Sequence, residues 1–198
     1  MNSQNETVAL ATALMQSRQT ILPKRLLEPG PDAQQFQLLL EAAASAPDHG
    51  QLLPWRFVLV PQNARGRLAA VFVAALQQRD SRASAEQLAL AGEKAYRAPL
   101  LLLVVVDAEK GDASIPLQER IISAGCAIQN ILLMAAAMGF GSALTSGKAL
   151  GADPLRTLFG LSPSEQALCF ISVGTAASQK PARLRPVPGD FLSGLPSA

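Results

Sequence analysis

The chain has 198 residues, of which 49% are hydrophobic and 16% charged, and a formal net charge of +2. The length suits a single domain, 1–198, with one core of ordinary depth, and so small a share of charged residues leaves apolar surface to be hidden in an oligomer. The near-balanced charge, with no Lys/Arg cluster interleaved with aromatics, argues against nucleic-acid binding and a polybasic membrane anchor and leaves small-molecule chemistry.

Residues 5–18 predict a helix with Val8, Leu10, Ala11, Leu14 and Met15 on its apolar side. A loop with Pro23, Pro29, Gly30 and Pro31 follows. Asp32 is placed to cap a second helix through Ser45, whose stripe is Phe36, Leu38, Leu39, Leu40 and Ala43. Pro47 stops that helix within SAPDHGQLLPWRF, residues 45–57, which holds the chain's sole His and sole Trp. Residues 55–61 then read as a strand, Asn63 as the cap of a helix to about Arg79, and residues 83–97 as a more polar helix. PLLLLVVV, residues 99–106, has the length and unbroken apolarity of a strand covered on both faces, in the middle of a sheet.

A polar loop around Gly111 and Asp112 leads to a long helix, about Pro116–Met138, which Gly139 and Gly141 end. Beyond it the sequence predicts a short strand at 143–145, a small helix at 154–159, a strand at 167–174 and an extended, Pro-rich tail from Lys180. The mixed order, with helices outnumbering strands, fits an α+β or three-layer domain and not a regular Rossmann alternation. Residues 121–140 carry no charge over a length that could span a bilayer. Gln129 and Asn130 at the centre, the lone flanking Arg120 and the strands on either side favour a buried helix and no membrane. Cys126 and Cys169 lie singly in apolar runs, and the first residues lack the basic start of a signal peptide, so a reduced, cytoplasmic setting is expected.

One His and two separated Cys cannot supply the usual zinc ligand shell, so no metal site is expected. Asp48 and His49 are adjacent and no G-x-S-x-G elbow accompanies them, which disfavours a hydrolase. GFGS at 139–142 follows a helix, the wrong context for a glycine-rich phosphate loop. Taken singly, Arg18 reads as a solvated helix-end cation, His49 as a loop hydrogen-bonding group, Trp55 as a core anchor and Leu144-Thr145-Ser146-Gly147 as a turn.

Together, six motifs stand in order: Arg18-Gln19-Thr20, Glu28-Pro29-Gly30-Pro31, Ala46-Pro47-Asp48-His49, Pro54-Trp55-Arg56-Phe57, Ala124-Gly125-Cys126-Ala127, and Gly139-Phe140-Gly141 with Ser146-Gly147. In this the whole chain resembles the nitroreductase family of FMN-dependent oxidoreductases, most of all its compact branch of NAD(P)H nitroreductases. The resemblance implies an α+β, three-layer α/β/α sandwich with a mixed, mostly antiparallel sheet, interlocked as a homodimer with FMN at the interface. It implies that Arg18, Gln19 and Thr20 bind the cofactor, with Arg18 at the FMN phosphate and Thr20 supplying a hydroxyl. Ser45 and His49 would approach the flavin from the partner subunit, and Leu144, Thr145 and Ser146 would face the isoalloxazine. Of Arg183 and Arg185 in the tail, Arg185 is the choice for a second phosphate contact.

The implied reaction is ping-pong: NAD(P)H reduces the flavin and leaves, and a nitroaromatic, quinone or similar small acceptor takes its place. No catalytic residue is assigned; His49 is the one candidate proton donor. Gln19 stands where relatives often carry a second Arg, Thr20 replaces Ser, and Leu53 stands where many have Gln. These departures leave two other readings: an FMN-binding dimer without significant turnover, a carrier or interaction module, and the same fold with a different flavin reaction.

Overall fold

The structure is a computed structural model that describes residues 3–178 and 184–195. Its helices are α1 (Ser3–Ser17), α2 (Ala33–Ala44), α3 (Arg65–Arg79), α4 (Ala85–Glu93), α5 (Leu117–Ala137) and α6 (Asp153–Phe159). Its strands are β1 (Leu26–Leu27), β2 (Trp55–Leu59), β3 (Leu100–Asp107), β4 (Gly141–Thr145) and β5 (Glu165–Ala176).

The sheet runs β1-β5-β3-β2, with β4 also paired to β5, and every ladder is antiparallel. Among the described residues the one parallel element is an isolated bridge between Thr20 and Ser142. As its composition predicts, β3 is interior, flanked by β2 and β5. Side chains alternate across a strand, so β3 feeds two cores. Leu100, Leu102 and Val104 face α2 and α5, whereas Leu101, Leu103 and Val105 face the α3 and α6 side. The result is the expected three-layer α/β/α arrangement.

Local chemistry sets the helix starts. Asp32 caps α2 through a capping box with Gln35, and Ser84 caps α4 in the same way with Gln87. Asn63 does not cap α3: it lies inside a 3-10 turn, Gln62–Ala64, and Ala64 holds the cap position without a side-chain bond. What fixes that junction is Arg65, almost fully buried, which donates to the carbonyls of Val60, Ala95 and Pro99. A guanidinium can be buried when its fork of donors finds carbonyls already in place. Arg120 repeats the device at the start of α5, donating to the carbonyls of Ile115, Asp107, Lys110 and Asp112 and so pinning the 107–115 loop.

α5 is long and apolar enough to cross a membrane by length and composition alone. In the fold it is a core helix: Ala124, Ala127, Ile131 and Ala135 pack inward, and Asn130 Nδ2 donates to the Ala42 carbonyl of α2. Its Ile121 and Ile122 remain exposed. Trp55 is the anchor expected of it, buried beside Phe57, with its indole N–H donating to Ser123 Oγ of α5 at 2.9 Å.

Candidate functional site

Beyond α1 the chain passes beside β4. Ile21 N–H donates to the Ser142 carbonyl at 2.9 Å next to the Thr20–Ser142 bridge, which pins the 18–24 segment against the strand at Thr20 and Ile21 before it enters the 3-10 turn Pro23–Arg25. The tail returns to the head of this segment, where Arg185 Nη2 donates to the carbonyls of Arg18 (2.9 Å) and Gln16 (3.3 Å). Arg18, Gln19, Thr20 and Arg185 are therefore gathered at one edge of the sheet. Arg183 lies outside the described residues.

At the far end of the same segment a cavity of about 580 Å³ opens, within the size range of small-molecule sites. Phe72 and Leu76 of α3, Leu101 of β3 and Phe170 of β5 form its apolar wall, and Thr145, Ser146 and Ser172 contribute hydroxyls. Lys24, Arg79, Lys94, Arg97 and Lys148 also line it, and among the described residues no Asp or Glu does. On α3 the spacing of Phe72, Leu76 and Arg79 places all three on one helical face. Such a cavity can hold a flat aromatic group and stabilise negative charge on it or beside it.

β4 divides the predicted turn between the two faces of the sheet. Leu144 is paired with Ile171, which belongs to the α5-side core, and Thr145 with Phe170, which belongs to the α3-side core. Thr145 and Ser146 line the cavity, whereas Leu144 does not.

Ser45 and His49 form a second group, held by α2 and α5. Ser45 is the C-cap of α2 and its Oγ donates to the Glu41 carbonyl at 3.3 Å. His49 Nδ1 lies 2.6 Å from Glu119 Oε2 in the first turn of α5, and both side chains are substantially exposed. The loop that follows is strained: φ is +69° at Gly50, +52° at Gln51 and +47° at Leu53, a region that side-chain-bearing residues seldom occupy. Side chains hold it there. The Asp48 carboxylate accepts the Leu53 N–H at 2.6 Å, and Lys110 Nζ donates to the Leu53 carbonyl at 2.8 Å.

The five cavity cations escape a sequence reading because each sits at a helix end or in a turn, where a cation is ordinarily just solvated. The usable signal was the three-residue spacing of Lys94 and Arg97 directly after the α4 stripe.

The comparisons with known proteins agree on one family. Residues 16–175 match the model of the "Nitroreductase family". A Haemophilus influenzae protein named "Putative NAD(P)H nitroreductase" is 32% identical over 173 residues, spanning 87% of this chain and 93% of that one. Among solved structures, a nitroreductase-like family protein from Bacillus cereus superposes with a TM-score of 0.79 at 15% identity, covering 93% of this chain and 95% of that one. A Desulfovibrio desulfuricans protein described as a "putative nitroreductase in complex with fmn" superposes with a TM-score of 0.68 at 22% identity, covering 94% and 97% of the two chains.

Proposed function

The chain belongs to the nitroreductase family, and from that premise we propose that it is a single-domain, FMN-dependent oxidoreductase that passes electrons from NAD(P)H to nitroaromatic, quinone or similar small acceptors. The observation that carries this reading is the cavity beside β4, apolar on one side and cationic on the other, at the end of a segment that begins with Arg18, to whose carbonyl Arg185 of the tail is bonded. The residues present fit the cofactor: the cavity is roomy enough for a planar ring, and guanidinium forks stand one segment away for a phosphate. FMN, when bound, supplies the two-electron chemistry that the side chains lack.

The chain's own residues then bind and orient. Arg18 and Arg185 hold the phosphate, and Thr20 and Gln19 fix the segment that carries Arg18. Thr145 and Ser146 offer hydroxyls to the ring, Phe72 and Phe170 close off water, and Lys24 and Lys94 place positive charge near its electron-rich edge. Ser45 and His49, neither of which lines this cavity, serve the flavin of the partner subunit in a homodimer, and Leu144 lies on that α5 side. Donor and acceptor occupy the same open face in turn, and the setting is cytoplasmic.

The test is purification. We expect a yellow protein that releases FMN on denaturation and oxidises NADH or NADPH when an acceptor is added. Arg18→Ala should weaken FMN retention by about tenfold or more, the loss of one charge-assisted fork, read by flavin fluorescence titration. Colourless protein that ignores added FMN sinks the proposal.

A further inference from the structure

The chain as a whole is close to charge balance, with 17 Lys and Arg against 15 Asp and Glu. The cavity is not: among the described residues five cations line it and no carboxylate does. The ion pairs among the described residues, His49–Glu119 and Arg56–Glu165, neutralise none of the five. Like charges around one void repel, and a fold keeps them there at a cost that a bound anion offsets.

The flavin does not account for all of them. On the reading proposed above, on which this inference rests, the phosphate goes to Arg18 and Arg185, and neither lines the cavity. The ring bears at most a single negative charge, which Lys24 and Lys94 suffice to meet. Arg79 at the end of α3, Arg97 beyond the turn that follows α4, and Lys148 just past Gly147 are left facing the remaining space.

We propose that this cavity selects anionic acceptors, namely small nitroaromatics or quinones that carry a carboxylate or a comparable acidic group. Arg79 and Arg97 offer planar forks that match a carboxylate, Lys148 adds a point charge, and Phe72, Leu76 and Phe170 receive the aromatic body. In the reaction itself the carboxylate is a spectator. NAD(P)H gives up a hydride, solvent gives one proton, and the nitro group loses one oxygen as water to become a nitroso group.

The experiment compares para-nitrobenzoate with its neutral isostere para-nitrobenzamide on the FMN-loaded full chain. The ratio of their kcat/KM values is measured in wild type and in Arg79→Gln/Lys148→Gln, with FMN content determined first from the flavin spectrum. Taking the ratio between proteins cancels the different intrinsic reducibility of the two compounds. We expect the carboxylate-to-amide ratio to fall about tenfold in the double variant at low ionic strength. In wild type alone, with no substitution involved, added salt should lower the same ratio. An unchanged ratio in both arms overturns the proposal. Loss of FMN from the double variant also overturns it, since these cations would then belong to the cofactor. A wild type that takes up no FMN refutes the flavin reading itself, a result visible before any acceptor is added.

Discussion

Gly174 of β5 sits where β1, β4 and the start of β3 converge, opposite Gly141 of β4. A Cβ there would lie 2.7 Å from Pro99 Cδ and 3.1 Å from the Leu27 carbonyl oxygen, and neither neighbour is the free end of a flexible side chain. Gly174→Ala should therefore destabilise the protein by about 1–3 kcal/mol, the usual range for overpacking, seen as a lower urea midpoint with an unchanged slope. Cys169, on the same strand, is chemically quiet for a related reason. Burial pushes its thiol up from 9.0 to about 11, so it packs as a small apolar group and is not a nucleophile. At this scale the sequence was legible wherever one residue had one plausible job, as with Trp55 and Asp32. It was silent on the burial of Arg65 and Arg120, which depends on carbonyls brought in from other segments.

Strand β2 is tied to β5 across the intervening β3 by Arg56 and Glu165, joined by two hydrogen bonds of 2.6 and 3.1 Å. The hydrogen bond from Arg56 holds the Glu165 carboxyl below its ordinary value of 4.5, and the Ser162 N–H assists. The folded pKa is depressed, so the associated stability is present above the ordinary carboxylate range and is lost as pH falls through the lower, folded value. Glu165→Gln should flatten the acid limb of stability against pH, measured by urea unfolding from neutral down to acidic solution. An acid limb as steep as that of wild type would show that other carboxylates govern it. Elements with their own chemistry were legible in the chain: the apolar run of β3, and the start of α2 at its Asp32 cap; the Ser84 cap of α4 went unread. The 3-10 turn at Lys94–Tyr96, which replaces the last turn of the predicted helix, was not, because Ala95 is drawn into the core by packing and its carbonyl is taken by Arg65.

At the scale of the molecule, α5 buries one stripe and leaves Ile122 at 65% exposure, while the tail exposes Phe191 and Leu192. An isolated chain gains nothing from apolar surface of this kind, which supports the proposed homodimer. Ile122→Glu should shift the protein toward monomer in sedimentation velocity and weaken FMN retention in parallel; a variant that stays dimeric and yellow would place the interface elsewhere. The uncharged 121–140 segment had signalled a hidden helix, yet only the fold separates its core stripe from its outward one, since both are written in the same apolar letters. The contact between Trp55 and Ser123 has an optical consequence. Trp55 is the chain's one indole, and it lies at the seam between sheet and α5, so its emission reports the docking of those two layers without any label. A blue-shifted band marks the seam closed and a red-shifted one marks it open, and quenching by energy transfer to a bound yellow chromophore would register cofactor uptake in the same cuvette.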